Sequence, residues 1–318
     1  MTELLLPFAA ILVGFVLLMK SADLLVENAA ELALRLGIST FFVGVVIIGF
    51  GTSAPEMFVS AMAALENKGN LAVGNALGSN ITNIGLVLGS AALINSISIS
   101  RESALADIPV LILTGLLGAY FIIDGNLSNL DGWVLLVVLG AYLYWSANNG
   151  TSIPDLAELE SRHHSDATMS KLITMTVVSI AILLIASRAL VFGAVSVAEF
   201  FGVSDLIIGL TIVAIGTSLP ELAAAIAAAR KNVHDMIFGN IIGSNVFNIL
   251  AVLGITGTIQ ATVIETDVIW RDFPVMLGLT GLMLVFALTR KKFSRIEGAA
   301  LLLIYLAYLL YLVFGTVN

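Results

Sequence analysis

The sequence predicts an all-α integral membrane protein whose ten spans form two inverted five-helix repeats. Three observations carry this. Of the 318 residues, 59% are hydrophobic and only 11% are charged, against roughly 25% charged in soluble domains. Apolar stretches close to the ~20 residues that cross a bilayer recur along the whole chain. Finally, the chain matches itself when displaced by 165 residues, the mark of a duplicated unit.

In chain order, the spans read as 4–22, 38–65, 70–95, 104–123, 130–147, 171–193, 203–229, 236–259, 270–289 and 296–314. The first run lacks a basic leader and a small-residue cleavage site, so it reads as a span and not as a signal peptide. The second carries Gly51-Thr52-Ser53-Ala54-Pro55-Glu56, and the third carries Gly74-Asn75 and Gly78-Ser79-Asn80-Ile81-Thr82-Asn83. The only long polar connection, 148–170, contains Asp155, Glu158, Glu160, Arg162, His163, His164 and Asp166. It divides the chain into a first repeat (1–147), a linker (148–170) and a second repeat (171–318). The seventh and eighth spans return the motifs as Gly216-Thr217-Ser218-Leu219-Pro220-Glu221, Gly239-Asn240 and Gly243-Ser244-Asn245.

Between 51–89 and 216–254, 18 of 39 aligned positions are identical without a gap. Gly37, Ser39 and Gly44 fall on Gly202, Ser204 and Gly209, and Asp107-Ile108-Pro109-Val110 falls on Asp272-Phe273-Pro274-Val275. Because five spans is an odd number, the second repeat enters the bilayer from the opposite face. Basic residues set the orientation: 11 of the 14 lie on the side opposite the N-terminus. The positive-inside rule therefore places the termini outside and the linker in the cytoplasm.

Composition excludes several function classes. A net charge of −8 disfavours nucleic acid. The absence of cysteine removes disulfides, thiolate metal sites and cysteine nucleophiles. No HExxH pair or Ser/His arrangement lies within the spans, so an enzyme is not expected. Neither a cofactor nor an obligate protein partner is expected.

The chemistry lies in Glu56 and Glu221. A mid-membrane carboxylate costs at least about 2.5–3.5 kcal/mol and survives only beside a partner or a wet cavity. The basic residues near these spans, Arg35, Lys68, Arg230 and Lys231, stand at the span ends, where they snorkel to the interface. Pro55 and Pro220 are expected to free the carbonyls of Gly51 and Gly216 and to loosen the turns through Thr52-Ser53 and Thr217-Ser218. Carbonyls, hydroxyls and a carboxylate in one turn are hard oxygen donors, suited to Ca2+ and Na+. Ser79 with Asn83, and Ser244 with Asn248, are four residues apart and share a helix face. Asn80 and Asn245 point elsewhere around the helix and bond backbone or a neighbouring helix. Gly74, Gly78, Gly239 and Gly243 favour close helix approach.

Bland readings compete with each of these. Alone, GTSxP is a kink and a lone intramembrane Glu is a protonated hydrogen-bond donor. Occurring together, twice, at matched positions of an inverted repeat, they read as a cation site. His163 and His164 read as solvated linker residues, and Arg290, Lys291, Lys292 and Arg295 as topology determinants. The stripe Asp23, Glu27 and Glu31 reads as a solvated face at a cytoplasmic entrance, with cation attraction as the alternative.

With these motifs, the sequence resembles the cation/Ca2+ exchanger superfamily, whose paired repeats carry GTSxPE and GNxxGSNxxN. Within that superfamily it is most similar to prokaryotic Na+/Ca2+ antiporters. The resemblance implies that Glu56 and Glu221, with the carbonyls of Thr52 and Thr217, bind Ca2+ and also serve Na+ sites. It further implies Ser53, Ser79, Ser218 and Ser244 as Na+ ligands together with the carbonyls of Gly49 and Ala214, with Asn83 and Asn248 facing the centre. Spans 1 and 6 would slide as a gate. Some members, including K+-dependent exchangers, have an acid where Asn248 stands, so the resemblance implies K+ independence. The expected substrates are thus Ca2+ and Na+, exchanged electrogenically across the plasma membrane. The alternatives are H+-coupled cation exchange on the same fold, disfavoured by the absence of histidine from the spans, and a cation channel.

Overall fold

The computed structural model describes residues 4–99, 101–149, 167–203, 208, 212, 214–290 and 292–317. Ten helices organise them: α1 (Leu5–Leu36), α2 (Thr40–Leu65), α3 (Gly69–Ile94), α4 (Arg101–Ile122), α5 (Asn129–Asn149), α6 (Met169–Phe200), α7 (Leu219–Lys231), α8 (His234–Ile259), α9 (Val268–Arg290) and α10 (Arg295–Val317). All but α7 are long and apolar enough to cross a membrane. The 13-residue α7 follows a short helical turn, Ala214–Thr217. Most of the segment before that turn, including Ser204 and Gly209, lies outside the described residues, as do His163 and His164.

Two expected boundaries move a long way. Both α1 and α6 run for 32 residues, roughly 48 Å at 1.5 Å per residue, which exceeds a ~30 Å hydrocarbon core. Charges at Asp23, Glu27 and Glu31 end the apolar run of α1 but not its helix, which continues to a left-handed cap at Gly37. The acidic stripe is not a plain solvated face, because Glu31 is buried and pairs with Arg35 at 2.7 Å, while Glu27 meets Lys231 at 3.2 Å. Two smaller boundaries shift as well. Helix α5 extends through Asn149 and α6 begins at Met169, so both ends of the 148–170 linker are helical. Helix α8 begins at His234, which places one histidine in the first turn of a span.

Small residues set the packing. Helices α1 and α6 cross antiparallel, with Gly14 against the backbone of Ala186 and Leu190 and Gly193 against Pro7 and Ile11. Helix α10 packs on α3 through Gly298 and Gly89, and α5 packs on α8 through Gly132 and Gly254. These two crossings correspond to each other in the repeat register. Helix α8 is the central element, its whole apolar stretch buried.

Four two-residue strands tie the ends together. Ile97–Ser98 (β1) pairs antiparallel with Lys292–Phe293 (β4), and Asn126–Leu127 (β2) pairs with Thr262–Val263 (β3). Each pair takes one strand from each half of the chain. Because β1 and β2 flank opposite ends of α4, the two pairs cap opposite ends of the bundle.

Candidate cation site

Helices α2, α3, α7 and α8, with the short turn Ala214–Thr217 and Ser218 that precede α7, carry the predicted site residues. In α2, Ser39 caps the start by accepting from the Phe42 N–H at 3.1 Å. The next stretch, Gly44–Gly49, is wound as a π-helix, and Phe50–Leu65 is α-helical with Pro55 inside it. The expected loosening at Thr52-Ser53 is therefore absent. The chain stays helical through Gly51–Glu56, and the wide turn lies just upstream, where a π-bulge re-registers the carbonyls.

The second copy of the motif folds differently. Ser218 breaks the helix between Ala214–Thr217 and α7, so Pro220 and Glu221 fall in the first turn of α7. Proline is tolerated there because its missing N–H would have no intrahelical partner. A carboxylate is also favoured at the positive end of the helix dipole. The carbonyl of Gly216 accepts from the Ser187 hydroxyl of α6 at 3.0 Å.

Both glutamates are buried, with Glu56 at 0% and Glu221 at 2% exposure. Ser53 Oγ donates to Glu221 Oε1 at 3.2 Å across the two halves. Glu221 Oε2 and both oxygens of Glu56 have no hydrogen-bond partner among the described residues. Neither glutamate has an ion pair among the described residues, although the Arg188 charge of α6 is close enough to act on Glu56.

Each glutamate is also held by its main chain, and sequence reasoning missed the residues that do this. Asn75 Nδ2 donates to the Glu56 carbonyl and Asn240 Nδ2 to the Glu221 carbonyl, both at 3.4 Å. Their signal was the matched Gly-Asn pair in the repeat. Asn240 Oδ1 lies 3.4 Å from the hydroxyls of Thr52 and Ser244. Thr52 Oγ1 also reaches the Ile48 carbonyl at 2.9 Å, and Ser244 Oγ lies 3.4 Å from the Gly49 carbonyl. Gly49, Thr52 and Ser244 thus meet at one edge of the site.

The remaining predicted residues fall as follows. Ser79 is buried on α3, and Ser218 is buried with a hydroxyl that has no partner. Thr217 is half-buried, and Ala214 opens the same turn. Asn83 and Asn248 are buried, and each begins a π-helical stretch, Asn83–Leu88 and Asn248–Val252. Asn83 Nδ2 donates to Asn245 Oδ1 at 3.2 Å, and Asn248 Nδ2 donates to Asn80 Oδ1 at 3.0 Å. The amide oxygens of Asn83 and Asn248 have no partner.

Close approach supports this arrangement on one side. A Cβ at Gly239 would stand 2.1 Å from the Phe41 carbonyl, and one at Gly243 2.8 Å from Val45 Cα. Gly74 and Gly78 have no described atom within 4 Å of a Cβ position.

Five buried acceptor oxygens of the predicted site residues, three carboxylate and two amide, therefore lack donors among the described residues. Buried polar atoms are normally paired, and an unpaired buried carboxylate is costly. Asn245 Nδ2 is the one pure donor beside them that also has no partner among the described residues; a set dominated by acceptor oxygens suits a hard cation, which takes 6–8 oxygens when it is Ca2+.

Comparison with known proteins identifies the family. The family model described as "Sodium/calcium exchanger protein" matches residues 6–148 and 171–314. The putative antiporter CaxA of Alkalimonas amylolytica is 43% identical over 315 residues, covering 96% of this chain and 98% of that protein. The sodium/calcium exchanger MaX1 of Methanosarcina acetivorans is 29% identical, covering 96% and 98%. Among solved structures, the sodium-calcium exchanger NCX_Mj matches with a TM-score of 0.85 at 31% identity, over 97% of this chain and 99% of that one.

Proposed function

This chain belongs to the sodium/calcium exchanger family, and from that premise we propose that it exchanges Na+ for Ca2+ at one buried site between α2, α3, α7 and α8. The observation that carries the site is the set of donorless buried oxygens on Glu56, Glu221, Asn83 and Asn248. The carbonyls and hydroxyls of Gly49, Thr52, Ser53, Ser79, Ala214, Thr217, Ser218 and Ser244 supply further oxygens around it.

Charge then dictates coupling. One Ca2+ neutralises the two carboxylates, and so do two Na+. The empty site leaves two bare carboxylates that resist occlusion at membrane depth. The protein consequently returns only when loaded, which is exchange. A third Na+ makes each cycle carry one net charge. With a neutral amide at Asn248, the central site holds two acids and needs no K+ to balance a third. The two halves enter the membrane from opposite faces, which suits alternating access. The antiparallel pair α1 and α6 is the moving part, and the termini face outward with the 148–170 linker in the cytoplasm of a plasma-membrane protein. Ca2+ leaves the cell as Na+ enters.

Purified protein in liposomes tests this. Ca2+ uptake is expected to require Na+ inside the vesicle and to be indifferent to K+. Uptake that follows a pH gradient and ignores Na+ would replace the reading with H+ coupling. Flux that persists without any counter-ion would replace it with a channel.

A further inference from the structure

The four asparagines at the centre are wired across the two halves. Asn83 of the first half donates to Asn245 Oδ1 of the second, and Asn248 of the second donates to Asn80 Oδ1 of the first. These two bonds correspond exchanged in the repeat, since Asn80 and Asn83 fall on Asn245 and Asn248. Asn80 Nδ2 links the two bonds into one chain by donating to the Asn245 main-chain carbonyl at 3.2 Å, and it lies 3.4 Å from Met276 Sδ. All four side chains are at most 2% exposed.

An amide has two ends of opposite polarity: a carbonyl oxygen that binds a cation and an NH2 that repels it. In an isolated pocket, either end of Asn83 or Asn248 could face the ion. Here each NH2 is engaged by an acceptor from the opposite half, and the oxygens are left without donors. We propose that Asn80 and Asn245 are positioning residues that hold the amides of Asn248 and Asn83 oxygen-inward. Each half thereby sets the cation-facing polarity of the other. The inference rests on the cation-site reading above, and it assigns Asn80 and Asn245 no contact with the ion.

The chemistry supplies a discriminating test. A carboxylate presents oxygen whichever way it turns, so an aspartate at 248 has no NH2 to hold away. Asn80→Leu removes the acceptor at nearly constant volume. In the natural background it is expected to raise the Kd for Ca2+, measured by calorimetric titration of the full-length protein in detergent, by roughly five- to tenfold, in keeping with one lost orienting hydrogen bond. In the Asn248→Asp background the same change is expected to raise it less than about twofold, the coupling a double-mutant cycle detects. The mirror cycle, Asn245→Leu with and without Asn83→Asp, is expected to behave in the same way. It keeps the question answerable if one double variant fails to fold.

Glu56→Gln, titrated in the same assay, separates two kinds of failure. Normal Ca2+ binding by Glu56→Gln would overturn the site itself. Loss of binding there, with the Asn80→Leu penalty equal in both backgrounds, would overturn only the positioning role and leave Asn80 a packing residue.

Discussion

Glu56 is fully buried, and neither of its oxygens has a donor among the described residues. Glu221 differs from it by one hydrogen bond, the Ser53 hydroxyl at 3.2 Å. That difference is a property of position, since the flanking Gly-Thr-Ser and Pro are the same in both motifs. If the two carboxylates together balance one Ca2+, removing either charge leaves the loaded site with a net positive charge in a low-dielectric interior. Glu56→Gln and Glu221→Gln are therefore each expected to abolish Ca2+ uptake in liposomes while the protein still elutes as a single folded species. Near-normal uptake in either variant would remove that residue from the site. Both residues were legible in the sequence because an acid is conspicuous in an apolar span. Asn75 and Asn240 were not, because an amide that bonds a main-chain carbonyl looks the same in sequence as one that binds an ion.

At the scale of elements, one motif takes two conformations. Gly51–Glu56 continues a helix, whereas Gly216–Glu221 is broken at Ser218. Their neighbours differ too: a backbone-close crossing holds the start of α2 against α8, and the Ser187 hydroxyl of α6 takes the Gly216 carbonyl. In the first half the position matching Ser187 is Ala22, which has no hydroxyl to offer. The α2–α8 crossing has a measurable consequence. Gly239→Ala would press a methyl group into the Phe41 carbonyl and is expected to cost about 1–3 kcal/mol, seen as a lower unfolding temperature in detergent. Gly140→Ala on α5, with no described atom within 4 Å, is expected to leave that temperature unchanged or raise it, since Ala is the better helix former. Equal shifts in the two variants would show that the crossing is looser than its geometry. The π-helical stretches at Gly44–Gly49, Asn83–Leu88 and Asn248–Val252 were not legible, because the hydrophobic period barely changes where one extra residue enters a turn.

At the scale of the whole molecule, the coupling between ions and voltage comes into view. If three Na+ exchange for one Ca2+, one net charge crosses per cycle, worth about 2.3 kcal/mol per 100 mV. Ca2+ uptake into Na+-loaded vesicles is then expected to accelerate when the interior is made positive, because that direction exports net positive charge. Uptake indifferent to an imposed potential would mean an electroneutral exchange of two Na+ for one Ca2+. The long α1 and α6, which contact both halves of the site, are placed to carry the access change. The full length of α1 was hidden in the sequence, because the charges after residue 22 end the apolar pattern while the helix runs on to Leu36.

The sequence by itself determined the membrane class and the internal repeat and singled out the two carboxylates, because composition, period and self-similarity are local or additive properties of the chain. It also marked Asn83 and Asn248 as candidates through their spacing. Only the tertiary structure decided which oxygens are left without donors. A buried amide or hydroxyl is satisfied or orphaned according to what lies across the interface, and here those partners come from the other half of the chain, more than 160 residues away. The same dependence on neighbours decided which copy of the repeated motif breaks its helix and which does not.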